Sequence, residues 1–229
     1  MRSTYTRKRA LIQGGFTLLE LMASVAILTV VVGVVITDLT TLQQRNKAET
    51  SKVDLSQEVR QFQDQIVSDI HLSGYPGLQL FDPLSPSLVS ATNCTLDINV
   101  ACGLLNVTPT ALQFEADVDG SGTVSEVFIQ LSPANGPCPC VIQRGTETKL
   151  TWRQTATPPI YYTEVNNVVN TTIFQGYDNA GNSVALTGVP SNNLNAIEIT
   201  LNVRPALPDV NGSYPTITMS TAAKIHNFN

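Results

Sequence analysis

Charge is scarce in this chain. Lys, Arg, Asp and Glu make up 14% of its 229 residues, against roughly a quarter in an average soluble domain. Histidine is scarcer still: His71 and His226 are the only two, and neither has a second metal-ligating side chain at helical spacing. There is no G-x-S-x-G elbow, no phosphate loop and no H-E-x-x-H pair. No enzyme activity is expected from such a repertoire. The basic residues beyond position 9 are spread singly from Arg45 to Lys224. Phosphate backbones are held by clustered Lys and Arg, so direct nucleic-acid binding is not expected either. The lone Trp152 reads as a core residue.

What charge there is has been sorted. Arg2, Arg7, Lys8 and Arg9 come before any acid, Glu20 is the first acid, and no charge follows from Leu21 to Thr37. From Phe16 to Ile36 this gives an apolar run of about 21 residues, roughly 30 Å as a helix and so the thickness of a bilayer's hydrocarbon core. The basic leader places the N-terminus in the cytoplasm and everything after Thr37 outside the inner membrane. Glu20 interrupts the run near its start. An unpaired carboxylate there costs several kcal/mol, which marks Glu20 as functional. An ordinary secretory signal has its small-residue cleavage site after the apolar core, whereas here Gly14-Gly15 precedes it. Without residues 1–15 the chain keeps nine basic against 18 acidic residues, a formal charge of −9.

Residues 16–73 read as one helix of about 58 residues, nearly 90 Å long. Beyond the apolar run and a polar stretch from Gln43 to Lys52, the residues Leu55, Val59, Phe62, Ile66 and Ile70 recur at spacings of three and four. That is the stripe of a helix with one buried face. Gly74, with Tyr75-Pro76-Gly77 after it, stops the helix. Residues 77–111 read as a loop. Strands are expected at Ala111–Ala116, Val124–Leu131, Val141–Arg144, Leu150–Arg153, Thr172–Tyr177, Ala196–Val203 and Thr216–Ile225. The Asn-rich pieces at 166–170 and 192–195 read as surface loops. A helix followed by an antiparallel sheet of five or six strands is an α+β architecture, with the helix stripe covering one sheet face.

Four cysteines, Cys94, Cys102, Cys138 and Cys140, on the oxidising side of a membrane point to disulfides rather than to a zinc site. Their pairing stays open. Cys94 and Cys102 close a short loop easily, a one-residue spacer makes Cys138 with Cys140 harder, and cross-pairing between the two segments is an alternative. Asp117, Asp119, Ser121 and Gly122 fit the opening positions of a calcium loop, but Phe128 stands where the bidentate acid belongs and Glu126 would have to substitute. The same residues make an ordinary hairpin turn, and no cofactor is expected.

Gly14-Gly15-Phe16-Thr17-Leu18-Leu19-Glu20 resembles the processing site of the type IV prepilin family. The resemblance implies a leader, residues 1–15, removed by a prepilin peptidase between Gly15 and Phe16, and methylation of the new Phe16 amine. It implies an assembly half of the helix at 16–43 and a periplasmic globular pilin domain at 44–229. Glu20 would then pair with the terminal amine of a neighbouring subunit. The order of elements, the ADVDGSG hairpin and the AIEITLNV strand resemble PilW-type minor pilins, with J-type minor pseudopilins of type II secretion as close relatives. The resemblance implies a pilin-like fold and a minor pilin that primes or joins a type IV pilus. Its partners would be major and minor pilins and the inner-membrane assembly machinery, and its location the inner membrane and then the surface filament. A secretion pseudopilin or a binding module at a pilus tip are the alternatives. The intact mass of the membrane-extracted protein should correspond to a chain that begins at Phe16 and carries one added methyl group; a start at Met1 or beyond Ile36 would contradict the reading.

Overall fold

The computed structural model describes residues 17–77, 94, 97–134, 136–191, 193–209 and 211–225. Helix α1 runs from Leu18 to Leu72. The chain divides into two compact units, one through Asn46 and one from Lys47 to Asn229. In the first, every side chain from Leu18 to Thr40 is exposed, and the helix is long and apolar enough to cross a membrane. Ser24, Thr29, Thr37 and Thr41 turn their hydroxyls back to carbonyls four residues earlier. This satisfies polar groups that lipid could not.

In the second unit α1 has one buried face, made by Leu55, Val59, Phe62, Ile66 and Ile70, together with Ala48, Gln63 and Asp69. These apolar residues share a core with a nine-stranded sheet. The strands are β1 (Gly103–Val107), β2 (Ala111–Ala116), β3 (Ser125–Ser132), β4 (Cys140–Thr148), β5 (Tyr161–Val168), β6 (Phe174–Tyr177), β7 (Ser183–Val184), β8 (Ala196–Val203) and β9 (Ile217–Lys224). Their order is β1-β2-β3-β4-β5-β8-β6-β7, with β9 on β8, and the pairings are antiparallel. Strand β8 buries Ile197, Ile199, Leu201 and Val203 at alternate positions, as half-buried strands do. The architecture is α+β and pilin-like, a long apolar-to-amphipathic N-terminal helix whose second half packs on an antiparallel sheet.

Polar contacts fix helix to sheet. Arg144 of β4 donates to Asp69 at 2.8 Å, and Gln65 donates to the other oxygen at 2.8 Å. Burial pushes the Asp69 carboxyl up while the Arg144 guanidinium pulls it back. Gln63 reaches the carbonyls of Ile199 and Met219. Glu58 accepts from the Asn166 amide at 2.7 Å.

Three turns share one device. Asp117, Asp178 and Asp209 each accept backbone amides two to five residues on, with Gly120, Gly181 and Gly212 at φ of 69°, 82° and 75°. A side-chain oxygen takes the place of a backbone acceptor, and glycine supplies the left-handed residue.

Four readings of the sequence are corrected. Gly103–Val107 is a strand inside the stretch read as loop, bulged between Leu104 and Asn106. Lys149–Thr155 is a helix, α2, not a strand at Leu150–Arg153. Thr148 caps it by accepting the Thr151 amide, Ala156 closes it in the left-handed region, and these local bonds override β-rich composition. Tyr161–Val168 is a strand where none was expected, so Asn166 and Asn167 belong to β5 rather than to a loop. Its bulged register and the φ of 56° at Asn167 hide the alternation. Among the described residues the sheet has nine strands rather than five or six.

Ile66 is fully buried against the sheet. Ile66→Ala in the full chain in detergent should lose about 2–5 kcal/mol of stability, read by urea unfolding through Trp152 fluorescence. Exposed Gln57→Ala should change it by less than about 0.5 kcal/mol.

Candidate functional site

Thr17 precedes the first helical residue, and its carbonyl and hydroxyl accept the Glu20 amide at 3.1 and 3.3 Å. Thr17 is therefore the N-cap of α1 and Glu20 its third residue, the spacing of a capping box. Helix amides left without carbonyl partners make this end positive and favour a carboxylate. Glu20 thus has a local reason for its position beyond the resemblance. Its signal in the sequence is the T-x-x-E spacing of Thr17 and Glu20 ahead of the apolar run. Gly15 and Phe16, the expected cleavage and methylation positions, lie outside the described residues.

The cysteines pair as neighbours, Cys94 with Cys102 and Cys138 with Cys140. The Cα atoms of the second pair lie 4.6 Å apart, within the range a disulfide bridges, so the single-residue spacer does not prevent it. The cross-pairing alternative is not realised.

The Cys94–Cys102 loop is held by charges that sequence reasoning missed. Lys149, the first residue of α2, is completely buried. Its ammonium donates to the Cys94 carbonyl at 2.7 Å, to the Val100 carbonyl at 2.6 Å and to Glu115. The same Glu115 oxygen accepts the Cys102 amide at 2.7 Å, and Arg153 donates to the Cys94 carbonyl at 3.1 Å. Burial pulls the Lys149 ammonium down, and Glu115 opposes it. The network has a role in tying the loop to strand β2. Its only signal in the sequence was a lone Glu at the inward end of a strand.

Opposite Glu115 on β3 stands Glu126. It is 2% exposed; one oxygen accepts from Gln113, and the other has no hydrogen-bond partner among the described residues. Burial, with the Glu115 charge adding to it, pushes its carboxyl up to about 7. A protonated carboxyl suits that place, since a buried charge without a partner is costly.

The candidate calcium residues part company. Asp117 accepts the amides of Ser121 and Gly122, and Asp119 accepts that of Ser121, which makes both carboxylates part of the turn. Hydrogen bonds from Ser121 hold Asp119 below the ordinary carboxylate range. Among the described residues no three acidic, His or Cys side chains are grouped as metal ligands, and Glu126 does not join the two aspartates.

Residues 12–36 match the family described as the prokaryotic N-terminal methylation motif. The chain carries a type IV prepilin-like N-terminus. The motif implies processing by a prepilin peptidase and a pilus-type assembly system, and with the apolar helix it is consistent with membrane anchoring. No curated protein and no solved structure matches the chain.

The stability that Glu126 contributes is full below the ordinary carboxylate value and is lost as pH rises through about 7. Glu126→Gln, which keeps the shape without the charge, should match the parent near pH 4, below the ordinary carboxylate value. At pH 8 it should exceed it by on the order of 3 kcal/mol. Urea unfolding at the two pH values checks this.

Proposed function

We propose that this protein is a minor pilin, a structural subunit rather than an enzyme. After leader cleavage it waits in the inner membrane with its globular unit in the periplasm, then primes or joins a type IV pilus. The observation that carries the reading is the coincidence at residues 12–36 of the methylation motif with a helix that, beyond a single acid, Glu20, is uncharged, mostly apolar and exposed. An exposed apolar helix is stable in lipid and equally against other such helices, so moving from membrane to filament core exchanges one apolar surrounding for another.

Glu20 sets which arrangement of helices is reached. Cleavage after Gly15 creates an amine at Phe16, four residues before the carboxylate. In a bundle of identical helix ends, the amine of one subunit meets Glu20 of the next, and neither charge is left bare. The capped first turn presents the carboxylate at the end of the helix where the amine of an incoming subunit arrives. The low charge content of the chain and its few histidines support a role in assembly over one in catalysis.

Glu20→Ala should be cleaved and inserted as the parent is, yet its recovery in sheared filaments should fall at least tenfold, because one buried amine loses its partner. Immunoblots of membranes and sheared filaments from the same cells measure both steps. Equal recovery of variant and parent would contradict the charge-pairing account.

A further inference from the structure

Strand β9 forms an edge of the sheet, and its neighbour shows which way its backbone groups point. The amides of Thr200, Asn202 and Arg204 turn away from β9, donating to the Ile173 carbonyl at 2.9 Å, the Asn170 side chain at 2.8 Å and the Asn167 carbonyl at 3.0 Å. Even positions of β8 therefore address β5 and β6, and odd positions address β9. The register pairs Ile199 with Thr221 and Leu201 with Met219, and the Ile225 amide donates to the Asn195 carbonyl at 2.9 Å. Odd positions of β9 thus face inward. Thr218, Ser220, Ala222 and Lys224 hold their N–H and C=O groups outward, without backbone partners among the described residues, and all four are exposed.

Other strand edges carry devices that stop pairing. On β1 the edge is bulged, and Val107 and Gly188 exchange hydrogen bonds of 2.6 and 3.0 Å across it. Strand β7 is two residues long. On β5 the register is irregular and Glu58 takes the Asn166 amide. Strand β9 is eight residues long, has no bulge and contains no proline, and its one charge, Lys224, is at its end. A long, regular edge whose one charge lies at its end is a template for another strand along the rest of its length.

We propose that the outer edge of β9 pairs with the β9 edge of a second copy of this chain, antiparallel about a two-fold axis. In that arrangement the edge is its own complement, each outward N–H meeting a C=O of the other copy. The charges choose the direction. Parallel pairing in register would set Lys224 beside Lys224, whereas antiparallel pairing sends the two ammonium groups to opposite ends, about 20 Å apart at 3.3 Å per residue. Elsewhere the globular unit is acid-rich, but the outward positions of β9 hold no acid, so the repulsion between two copies is least along this edge. One strand pair covers much less than the roughly 1,200 Å² of a stable interface. The dimer therefore depends on the shared membrane, which raises the local concentration of anchored copies.

The full chain, reconstituted in liposomes, carries one added cysteine at a time, Thr218→Cys, Ser220→Cys or Ala222→Cys, and is treated with a short bis-maleimide. At least one position should give a cross-linked dimer at ten times the yield of Thr157→Cys, an exposed site outside the strands. Adding Ser220→Pro to the Thr218→Cys or Ala222→Cys chain removes an outward N–H that the fold does not use. It should abolish the dimer and leave the thermal unfolding temperature unchanged. If proline disturbs folding, Ser220→Lys supplies the same test through like charges at the centre of the pair. Yields no higher than at Thr157→Cys, or a dimer that survives both substitutions, would overturn the proposal. So would cross-linking in cells exclusively to a different protein. None of these outcomes bears on Glu20 or on leader cleavage.

Discussion

The governing constraint is the first part of α1, which carries no charge from Leu21 to Thr37 and is exposed along that whole length. From Leu18 to Thr40 no side chain of α1 is buried within the chain. In water such a surface is untenable, because each exposed Leu, Ile or Val forgoes about 1.5–3 kcal/mol of burial. The surroundings have to be lipid or other helices of the same kind. Glu20 at the capped end is then the one charge at the start of the segment, with no other until Asp38.

The second half of the same helix obeys a different rule. Its apolar residues fall into one stripe, and the sheet covers it. Buried polar pairs fix the register of helix on sheet: Asp69 with Arg144, Gln63 with two strand carbonyls. Farther along the sheet, Lys149 and Glu115 hold the Cys94–Cys102 loop through backbone carbonyls and an amide. Disulfide and ion pair act on the same loop from two sides. The covalent link shortens the loop in the unfolded chain, and the buried pair decides where the loop lies in the folded one. Removing Glu115 would leave the buried Lys149 ammonium without its counter-ion, which is more costly than the pair is stabilising.

How much was legible follows from which forces act locally. Periodicity in a long amphipathic element survives any tertiary context, so the stripe from Leu55 to Ile70 and the alternation from Ile197 to Val203 could be read directly. The Asp-Gly turn between β2 and β3 was legible for the same reason, since its chemistry is contained in a few residues. Strand β5 was not, because bulges opposite Ile142 and the left-handed Asn167 break its alternation. Helix α2 was hidden by β-favouring residues that one threonine cap overrules. The Lys149 network was unreadable in principle from spacing, since it joins residues 34 and 49 positions apart. At the N-terminus the motif and Glu20 stand out in the sequence, whereas the capping role of Thr17 is hidden inside the same motif.

The central claim is that Glu20 is neutralised by the terminal amine of a neighbouring subunit once the helices assemble. A side-chain-resolution structure of the assembled complex containing this chain tests it most directly. The account predicts the Phe16 amine of one subunit within hydrogen-bonding distance of Glu20 of the next, with the apolar run enclosed by other helices. Glu20 facing water, or an amine paired to some other acid, would contradict it.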